Sequence, residues 1–173
     1  MNQGRFARAG GFLFFDFCFV EGMVFSMSAN TQRPVECPCG GAAPNLKSGA
    51  KPPRYADCCG RFIDGGAVPA TALELMRSRY TAYVLGEVPY LRATWANETC
   101  PADLDVDPND PGAPRWLGLA VKRHENLDAT HAIVEFVARH KSGGRAYRLH
   151  ETSRFTRGDD DRWRYVDGDI LEG

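Results

Sequence analysis

The sequence predicts an α+β fold in which helices come first and an antiparallel sheet of about four strands follows. Apolar residues recur at helical spacing in the segment 71–85, whereas polar and apolar residues alternate in several segments after residue 114. Short turns rich in glycine or aspartate separate the alternating segments, and such turns join antiparallel neighbours. We therefore expect a meander with one face covered by the helix at 71–85.

Length and charge limit the possible classes of protein. A chain of 173 residues can form one domain with a core plus a small appendage. Lysine and arginine number 21 against 22 acidic residues, which leaves a net charge of −1 and no basic stripe. Binding to duplex DNA is therefore not expected. The apolar run at 10–20 is shorter than the ~20 residues of a membrane span, so no membrane segment is predicted.

Residues 1–30 differ in composition from the rest of the chain and hold most of its phenylalanines. Asp16 interrupts the apolar run, which argues against a secretory signal. Met23 and Met27 offer later starting points. We interpret this segment as an extension that is either disordered or the product of a misassigned start.

Four of the six cysteines fall between residues 36 and 60, as CPCG at 37–40 and CCG at 58–60. Zinc takes four thiolates in a tetrahedron at about 2.3 Å each, and two short cysteine pairs can supply them all. This fragment has few large apolar residues, so a bound ion would provide its cross-link. The pattern predicts a structural zinc knuckle within residues 31–66, with the ligands Cys37, Cys39, Cys58 and Cys59.

Disulfides and unrelated reduced thiols are the alternatives to zinc. Disulfides require an oxidising compartment, and the adjacent Cys58 and Cys59 would need two different partners. Cys18 and Cys100 stand apart and are expected to be free thiols. Four reduced thiols, together with no convincing export signal, predict a cytoplasmic location.

Two helices are expected before the sheet. Thr71 and Glu74 form a capping-box pattern at the start of the first, and Gly86 is a natural stop. Pro89 can open a second, short helix that extends to Trp95. One apolar face is predicted for the first helix, made of Leu73, Met76, Tyr80, Tyr83 and Val84.

Aspartates and prolines fill the segment from Thr99 to Pro114, which predicts a solvated loop rather than a calcium site.

Leu117 is expected to share one side of the first strand with Leu119 and Val121. The predicted strands are Arg115–His124, Ala129–His140, Arg145–Arg157 and Arg162–Asp167.

Several motifs together resemble the YchJ-like family of bacterial proteins, which carry a SEC-C-type zinc motif. They are CPCG and CC at 37–40 and 58–59, LMRSRYTAYV at 75–84, RATW at 92–95, WLGLAV at 116–121, VEFVAR at 134–139, HETSRF at 150–155 and WRYVDG at 163–168. The resemblance implies a nuclear transport factor two-like domain at 67–173, a sheet curved into a cone around helices. It also implies zinc binding at the amino-terminal motif, although the loop between the cysteine pairs is longer than usual. The family's biochemical role is unassigned.

The interior of such a cone could hold a ligand. Glu151 and Ser153 share the predicted inner face of the third strand, and a buried carboxylate needs a partner. Arg77 is the expected partner because it lies near the apolar face of the helix, and Tyr80 could donate a further hydrogen bond; Arg79 is expected to turn away. An ion pair that only fixes the helix on the sheet is one interpretation, and a ligand or acid–base pocket is the other. No catalytic residue is predicted.

The leading functional hypothesis is a non-enzymatic zinc-binding adaptor whose knuckle contacts a protein or ribosome-associated partner. A small-molecule-binding protein or enzyme that uses the cone interior is the alternative. A third hypothesis is contact with single-stranded nucleic acid, which the overall charge balance disfavours. It would use the basic residues Lys47, Lys51, Arg54 and Arg61.

Overall fold

The computed structural model describes residues 32–41 and 51–171, so the predicted extension at 1–30 lies outside the described residues. Three helices precede four strands, and the strands form one antiparallel sheet in the order β1-β2-β3-β4. The predicted α+β meander is confirmed. The elements are α1 (Gly60–Ile63), α2 (Ala72–Leu85), α3 (Val88–Ala93), β1 (Arg115–Asn126), β2 (His131–Ser142), β3 (Arg145–Arg157) and β4 (Trp163–Ile170).

Both ends of α2 carry the caps that the sequence predicts. The hydroxyl of Thr71 accepts a 3.1 Å hydrogen bond from the backbone N–H of Glu74. The Glu74 carboxylate in turn accepts from the N–H of Ala70 at 2.8 Å, which satisfies a second free donor at the helix start. Gly86 ends the helix with φ of 75°, the left-handed conformation that favours glycine.

Helix α2 is buried almost all the way round, so the prediction of a single apolar face is wrong. The cysteine segment, α3 and the sheet each cover a different side of it. Leu75, outside the predicted face, is 0% exposed. The hydroxyl of Ser78 meets the Tyr90 hydroxyl of α3 at 2.7 Å, so a polar side chain is also buried with a partner.

The pairing of the strands defines the inner face of the sheet. Phe136 of β2 lies opposite Glu151 of β3, and Ser153 of β3 lies opposite Gly168 of β4. Strands β2 and β3 are joined by a two-residue turn, Gly143–Gly144, with φ of 57° and 79°. Two consecutive positive φ angles match the right-handed twist of a hairpin, which explains the two glycines.

A β-bulge in β1 changes the face that one predicted core residue occupies. Trp116 pairs with His140 and Gly118 with Arg139, so Leu117 is an extra residue without a cross-strand partner. Leu117 is consequently 43% exposed, and the prediction that it shares a side with Leu119 and Val121 is wrong. Trp116 contacts the core on the inner face in its place.

The chain after α3 pairs with the outer edge of β4. Tyr165 donates its N–H to the carbonyl of Thr94 at 3.0 Å and accepts from the N–H of Ala96 at 2.8 Å. Trp95 therefore lies beyond α3 and not within this helix as predicted, because the pairing fixes it against the sheet. The pairing also covers a strand edge that would otherwise expose free backbone groups.

The segment from Asn97 to Pro114 contains no helix or strand, as the loop prediction requires. Arg92 holds its first part by donating to the carbonyl oxygens of Pro101, Ala102 and Leu104. Within the described part of the chain, no helix is long and apolar enough to cross a membrane.

Candidate metal centre and interior cavity

A short backbone ladder brings the two cysteine pairs together. Cys37 donates its N–H to the carbonyl of Pro53 at 2.8 Å, and Tyr55 donates to the carbonyl of Val35 at 3.0 Å. Glu36 and Arg54 form an isolated antiparallel bridge between these two bonds. The ends of the long loop are therefore closed by hydrogen bonds, and loop length itself adds little entropic cost to closure.

Tyr55 and Gly60 shape the turn that carries the second cysteine pair, immediately before α1. The carbonyl of Tyr55 accepts from the N–H groups of Cys58 and Gly60 at 3.0 and 2.8 Å. A Cβ atom at residue 60 would lie 2.7 Å from Cε1 of the Tyr55 ring, closer than real contacts allow. The absence of a side chain at Gly60 therefore permits the tight turn that places Cys58 and Cys59 beside the first pair.

The four sulfur atoms form one cluster, in which all Sγ atoms lie within 4.8 Å of one another. The separations are 3.4 Å for Cys37–Cys39, 3.6 Å for Cys39–Cys58, 3.5 Å for Cys39–Cys59 and 4.0 Å for Cys58–Cys59. A tetrahedral zinc ion with bonds of about 2.3 Å requires sulfur separations of about 3.8 Å. The sulfur separations bracket that value, so the residues present fit a tetrahedral four-thiolate metal site.

Neighbouring groups donate hydrogen bonds and positive charge to the cluster. The N–H of Gly41 points at Sγ of Cys39 at 3.5 Å, and the hydroxyl of Thr81 lies 3.8 Å from Sγ of Cys37. The guanidinium of Arg77 donates to the backbone carbonyl of Cys39 at 2.8 Å. Arg77 is only 7% exposed, so its charge acts in a poorly solvated setting. Four thiolates around a divalent ion carry a net negative charge, which this arginine offsets.

The thiols influence one another's ionisation. Hydrogen bonds from Cys39, Cys58 and Cys59 lower the pKa of the Cys37 thiol far below its ordinary value. Hydrogen bonding with Cys37 raises the pKa of Cys58 and that of Cys59. The ionisation of each thiol therefore depends on its neighbours in the cluster. A divalent cation would stabilise all four thiolates together, since metal binding displaces the thiol protons.

The cysteines of the described residues are free thiols, including Cys100, so the disulfide alternative does not apply to this structure. Cys18 lies outside the described residues. Across residues 32–41 and 51–171, the four clustered cysteines are also the one group of potential metal ligands that come close together.

A cavity of about 210 Å³ lies between α2 and the inner face of the sheet. Of the four predicted pocket residues, Tyr80, Glu151 and Ser153 line it, whereas Arg77 does not. Its walls are mainly apolar and aromatic, with Met76, Trp116, Phe136 and Leu149 among them.

The predicted Arg77–Glu151 ion pair is wrong. Arg77 contacts Cys39 instead, because the cysteine segment packs on the side of α2 that carries Arg77 and Thr81, one helical turn apart. Glu151 finds its partners within the sheet: its Oε1 accepts from the Ser153 hydroxyl at 2.7 Å and from the Tyr165 hydroxyl at 3.2 Å. The predicted hydrogen bond from Tyr80 is likewise replaced by that of Tyr165.

Gly168 makes room for the Glu151 side chain. A Cβ atom at residue 168 would lie 2.6 Å from Cδ and 2.8 Å from Cγ of Glu151 and would collide with Oε1. Glycine at this position of β4 therefore leaves space for the carboxylate above the sheet.

Arg79 is the charged residue of α2 that reaches the cavity, although the sequence predicted that it turns away. Its Nη1 donates to the carbonyl of Leu91 at 2.8 Å and to Oγ1 of Thr94 at 2.9 Å. Its guanidinium carbon lies 4.6 Å from the ring centres of both Trp95 and Tyr165, so aromatic faces compensate its burial. Burial lowers the pKa of Arg79 from its ordinary value. The helical spacing of Met76, Arg79 and Tyr83 is the sequence signal that could have identified it.

Comparison with known proteins places these features in a family context. A family model described as "YchJ, middle NTF2-like domain" matches residues 71–168, which include α2, α3 and nearly the whole sheet. The four cysteines lie before the matched region.

Several bacterial relatives are similar over most of the chain. A UPF0225 protein of Ralstonia nicotianae is 57% identical over 78% of this chain and 90% of its own length. A UPF0225 protein of Cupriavidus metallidurans is 55% identical over 80% of this chain and 92% of its own length.

Two solved structures share the fold. The crystal structure of a SEC-C motif containing protein from Psychrobacter arcticus aligns with a TM-score of 0.61 and 31% identity, over 80% of this chain and 84% of that one. The solution structure of a SEC-C motif containing protein from Rhodopseudomonas palustris also aligns with a TM-score of 0.61, at 29% identity over 72% and 96% of the two chains.

Proposed function

Because the chain belongs to the YchJ-like (UPF0225) family, whose solved relatives are named for a SEC-C motif, we propose that it is a zinc-binding adaptor without catalytic activity. In this proposal Cys37, Cys39, Cys58 and Cys59 bind a structural zinc ion. The knuckle then contacts a protein or ribosome-associated partner in the bacterial cytoplasm, and the nuclear transport factor two-like domain supports it.

The observation that carries this proposal is the four-sulfur cluster. The chain supplies every position of a tetrahedral shell, and such closed shells are typical of structural zinc, whereas catalytic zinc keeps a position open for water or substrate. Zinc favours thiolate ligands in tetrahedral geometry, which supports zinc over magnesium or calcium. The chemistry that zinc supplies here is cross-linking of the two cysteine pairs.

The surface beside the cluster offers a contact point for a protein. Val35 is 76% exposed, and its carbonyl is fixed by the Tyr55 N–H, so an apolar side chain is held in solvent by an ordered backbone. The entropic cost of ordering this side chain on binding is small, because its backbone is already held by a hydrogen bond.

The basic residues of the knuckle favour a protein over single-stranded nucleic acid. Arg61 is bound to Glu74 at 2.6 Å, and Lys51 lies 3.7 Å from Glu36. These carboxylates reduce the positive charge available for phosphates, on which nucleic-acid affinity depends. Lys47 lies outside the described residues.

The test combines metal analysis with affinity capture. The full chain, purified under reducing conditions, should contain about one zinc ion per molecule. Cys37→Ser with Cys58→Ser should lose both zinc and the captured partner. Glu151→Gln, which alters the cavity, should retain both. A chain that lacks metal, or a cysteine variant that captures the same partner, would overturn the proposal.

A second pair of variants separates the contact surface from the metal. Val35→Asp should keep the zinc and lose the partner, because a charge replaces the exposed apolar contact. Leu127→Asp is the matched control, since Leu127 is 57% exposed in the turn between β1 and β2. It should keep both zinc and partner.

A further inference from the structure

The interior cavity forms a second site, and no cysteine lines it. Its walls come from α2 and from all four strands, while the cysteines contact α2 through Arg77 and Thr81. A cavity of about 150 Å³ is enough for benzene, so about 210 Å³ accommodates one aromatic ring and small polar substituents. Tyr80 and Phe136, on opposite walls, supply apolar contact for such a ring.

Arg79 is a buried cation that no carboxylate of the described chain neutralises. Its two hydrogen bonds within the described chain both come from Nη1 and go to neutral oxygen atoms, and the Tyr83 hydroxyl next to it is neutral as well. The ion pairs of the described chain likewise include none with Arg79, although the side chain is only 4% exposed. A buried guanidinium gains most from a planar carboxylate, which accepts two parallel hydrogen bonds.

Glu151 supplies an acceptor in the same cavity. Both hydroxyl donors, those of Ser153 and Tyr165, bind its Oε1. Its Oε2 accepts no hydrogen bond from the residues that the structure describes, and the side chain lines the cavity. An amino or hydroxyl group on a ligand could donate a hydrogen bond to this Oε2.

We propose that this cavity binds a small aromatic carboxylic acid with an amino or hydroxyl substituent. The ligand carboxylate pairs with Arg79, the ring occupies the apolar space between α2 and the sheet, and the substituent donates to Glu151 Oε2. The half-buried residues Tyr83, Trp116 and Leu149 mark the side from which the ligand enters.

The test uses three named probes against the full chain, with amide NMR spectra as the readout. Benzoate carries the carboxylate alone, 4-aminobenzoate adds a donor, and benzyl alcohol lacks the carboxylate. We expect 4-aminobenzoate to bind about threefold to tenfold more tightly than benzoate, and benzyl alcohol to bind at least about tenfold more weakly than benzoate. The shifted amides should include those of Ala138, Glu151 and Ser153.

Two substitutions, each with a matched control, test the pose. In Glu151→Gln the Ser153 and Tyr165 hydroxyls still bind the oxygen, so an NH₂ group replaces Oε2. The advantage of 4-aminobenzoate over benzoate should vanish there, while Glu135→Gln on the outer face should retain it. Ala138→Val should weaken 4-aminobenzoate and benzoate about tenfold by filling space, whereas the exposed Ala120→Val should not.

Three results would each overturn the proposal. One is the absence of saturable shifts at the cavity amides with about 10 mM benzoate or 4-aminobenzoate. Another is equal binding of benzyl alcohol and benzoate. The last is an unchanged preference for the amino group in Glu151→Gln. Arg79 and Glu151 do not contact the cysteines, so failure of these measurements would leave the zinc proposal standing.

Discussion

The guanidinium of Arg77, in the middle of α2, donates a 2.8 Å hydrogen bond to the backbone carbonyl of Cys39. This bond joins the cysteine segment to the helix that covers the sheet. Cys37, Cys39 and Cys59 are buried within the same hydrophobic cluster as Leu75 and Phe136. The knuckle therefore shares the core of the larger domain instead of forming a separate one.

Replacing Arg77 should weaken both stability and metal retention. In Arg77→Met the Cys39 carbonyl loses its donor, and the thiolate cluster loses the nearby positive charge. We expect the free energy of unfolding to fall by about 1–3 kcal/mol. Transfer of the metal to a chelator should also become about tenfold more favourable, as for other groups that support metal ligands. Urea denaturation and a colorimetric zinc assay measure the two effects.

Arg54→Met is the control for this prediction because Arg54 is an exposed residue of the same segment. It should change the free energy of unfolding by less than about 0.5 kcal/mol. Equal effects of the two substitutions would contradict the role assigned to Arg77.

The proposed zinc site predicts that removal of the ion destabilises the whole protein, not only the knuckle, because the cysteines belong to the common core. A chelator added under reducing conditions should lower Tm by more than about 4 °C, and added zinc should restore it. Calorimetry measures the shift. Cys58→Ser should already have the lower Tm and should not respond to the chelator. A wild-type Tm that is the same with and without the chelator would refute the prediction.

Gly168→Ala should be destabilising because its Cβ would collide with the Glu151 side chain. The carboxylate must then move and lose its 2.7 Å hydrogen bond from Ser153. We expect a cost of about 1–3 kcal/mol in the free energy of unfolding, measured in urea. The same substitution should cost at least about 0.5 kcal/mol less in a Glu151→Ala background, where the collision is absent. Additive effects would count against this explanation.

Asp128, in the turn between β1 and β2, should make stability depend on acid pH. Hydrogen bonds from the Thr130 N–H and the His131 side chain lower its pKa to about 2. The unfolded value is about 3.9, so the stabilisation is complete above that pH and is lost as the pH falls toward about 2. Asp128→Ala should therefore be less stable than the wild type at neutral pH, and the difference should shrink over this interval.

Urea denaturation at a series of pH values tests this dependence. Asp159→Ala, at an exposed position of the turn before β4, is the control and should show a smaller difference at neutral pH. A stability difference between Asp128→Ala and the wild type that stays constant from neutral pH to about pH 2 would disprove the prediction.

Local patterns in the chain were enough to predict most of the elements. Thr71 and Glu74 fix the start of α2, and the predicted limits of β3, Arg145 and Arg157, are those observed. The cysteine spacing also identified the residues that cluster. Each of these features depends on residues close together in sequence, or on cysteine pairs whose spacing is typical of metal ligands. The boundaries proposed for the knuckle and the cone domain remain predictions.

The tertiary structure alone decided which arginine of α2 faces the cavity. A helical pattern locates an apolar face, but it cannot reveal that three different elements surround the helix. The cysteine segment takes Arg77, and Trp95 and Tyr165 accommodate Arg79 by pairing beside each other at the edge of β4. The bulge at Leu117 is also a property of strand pairing rather than of alternation. Such choices depend on contacts between residues distant in sequence, and those contacts exist only once the chain has folded.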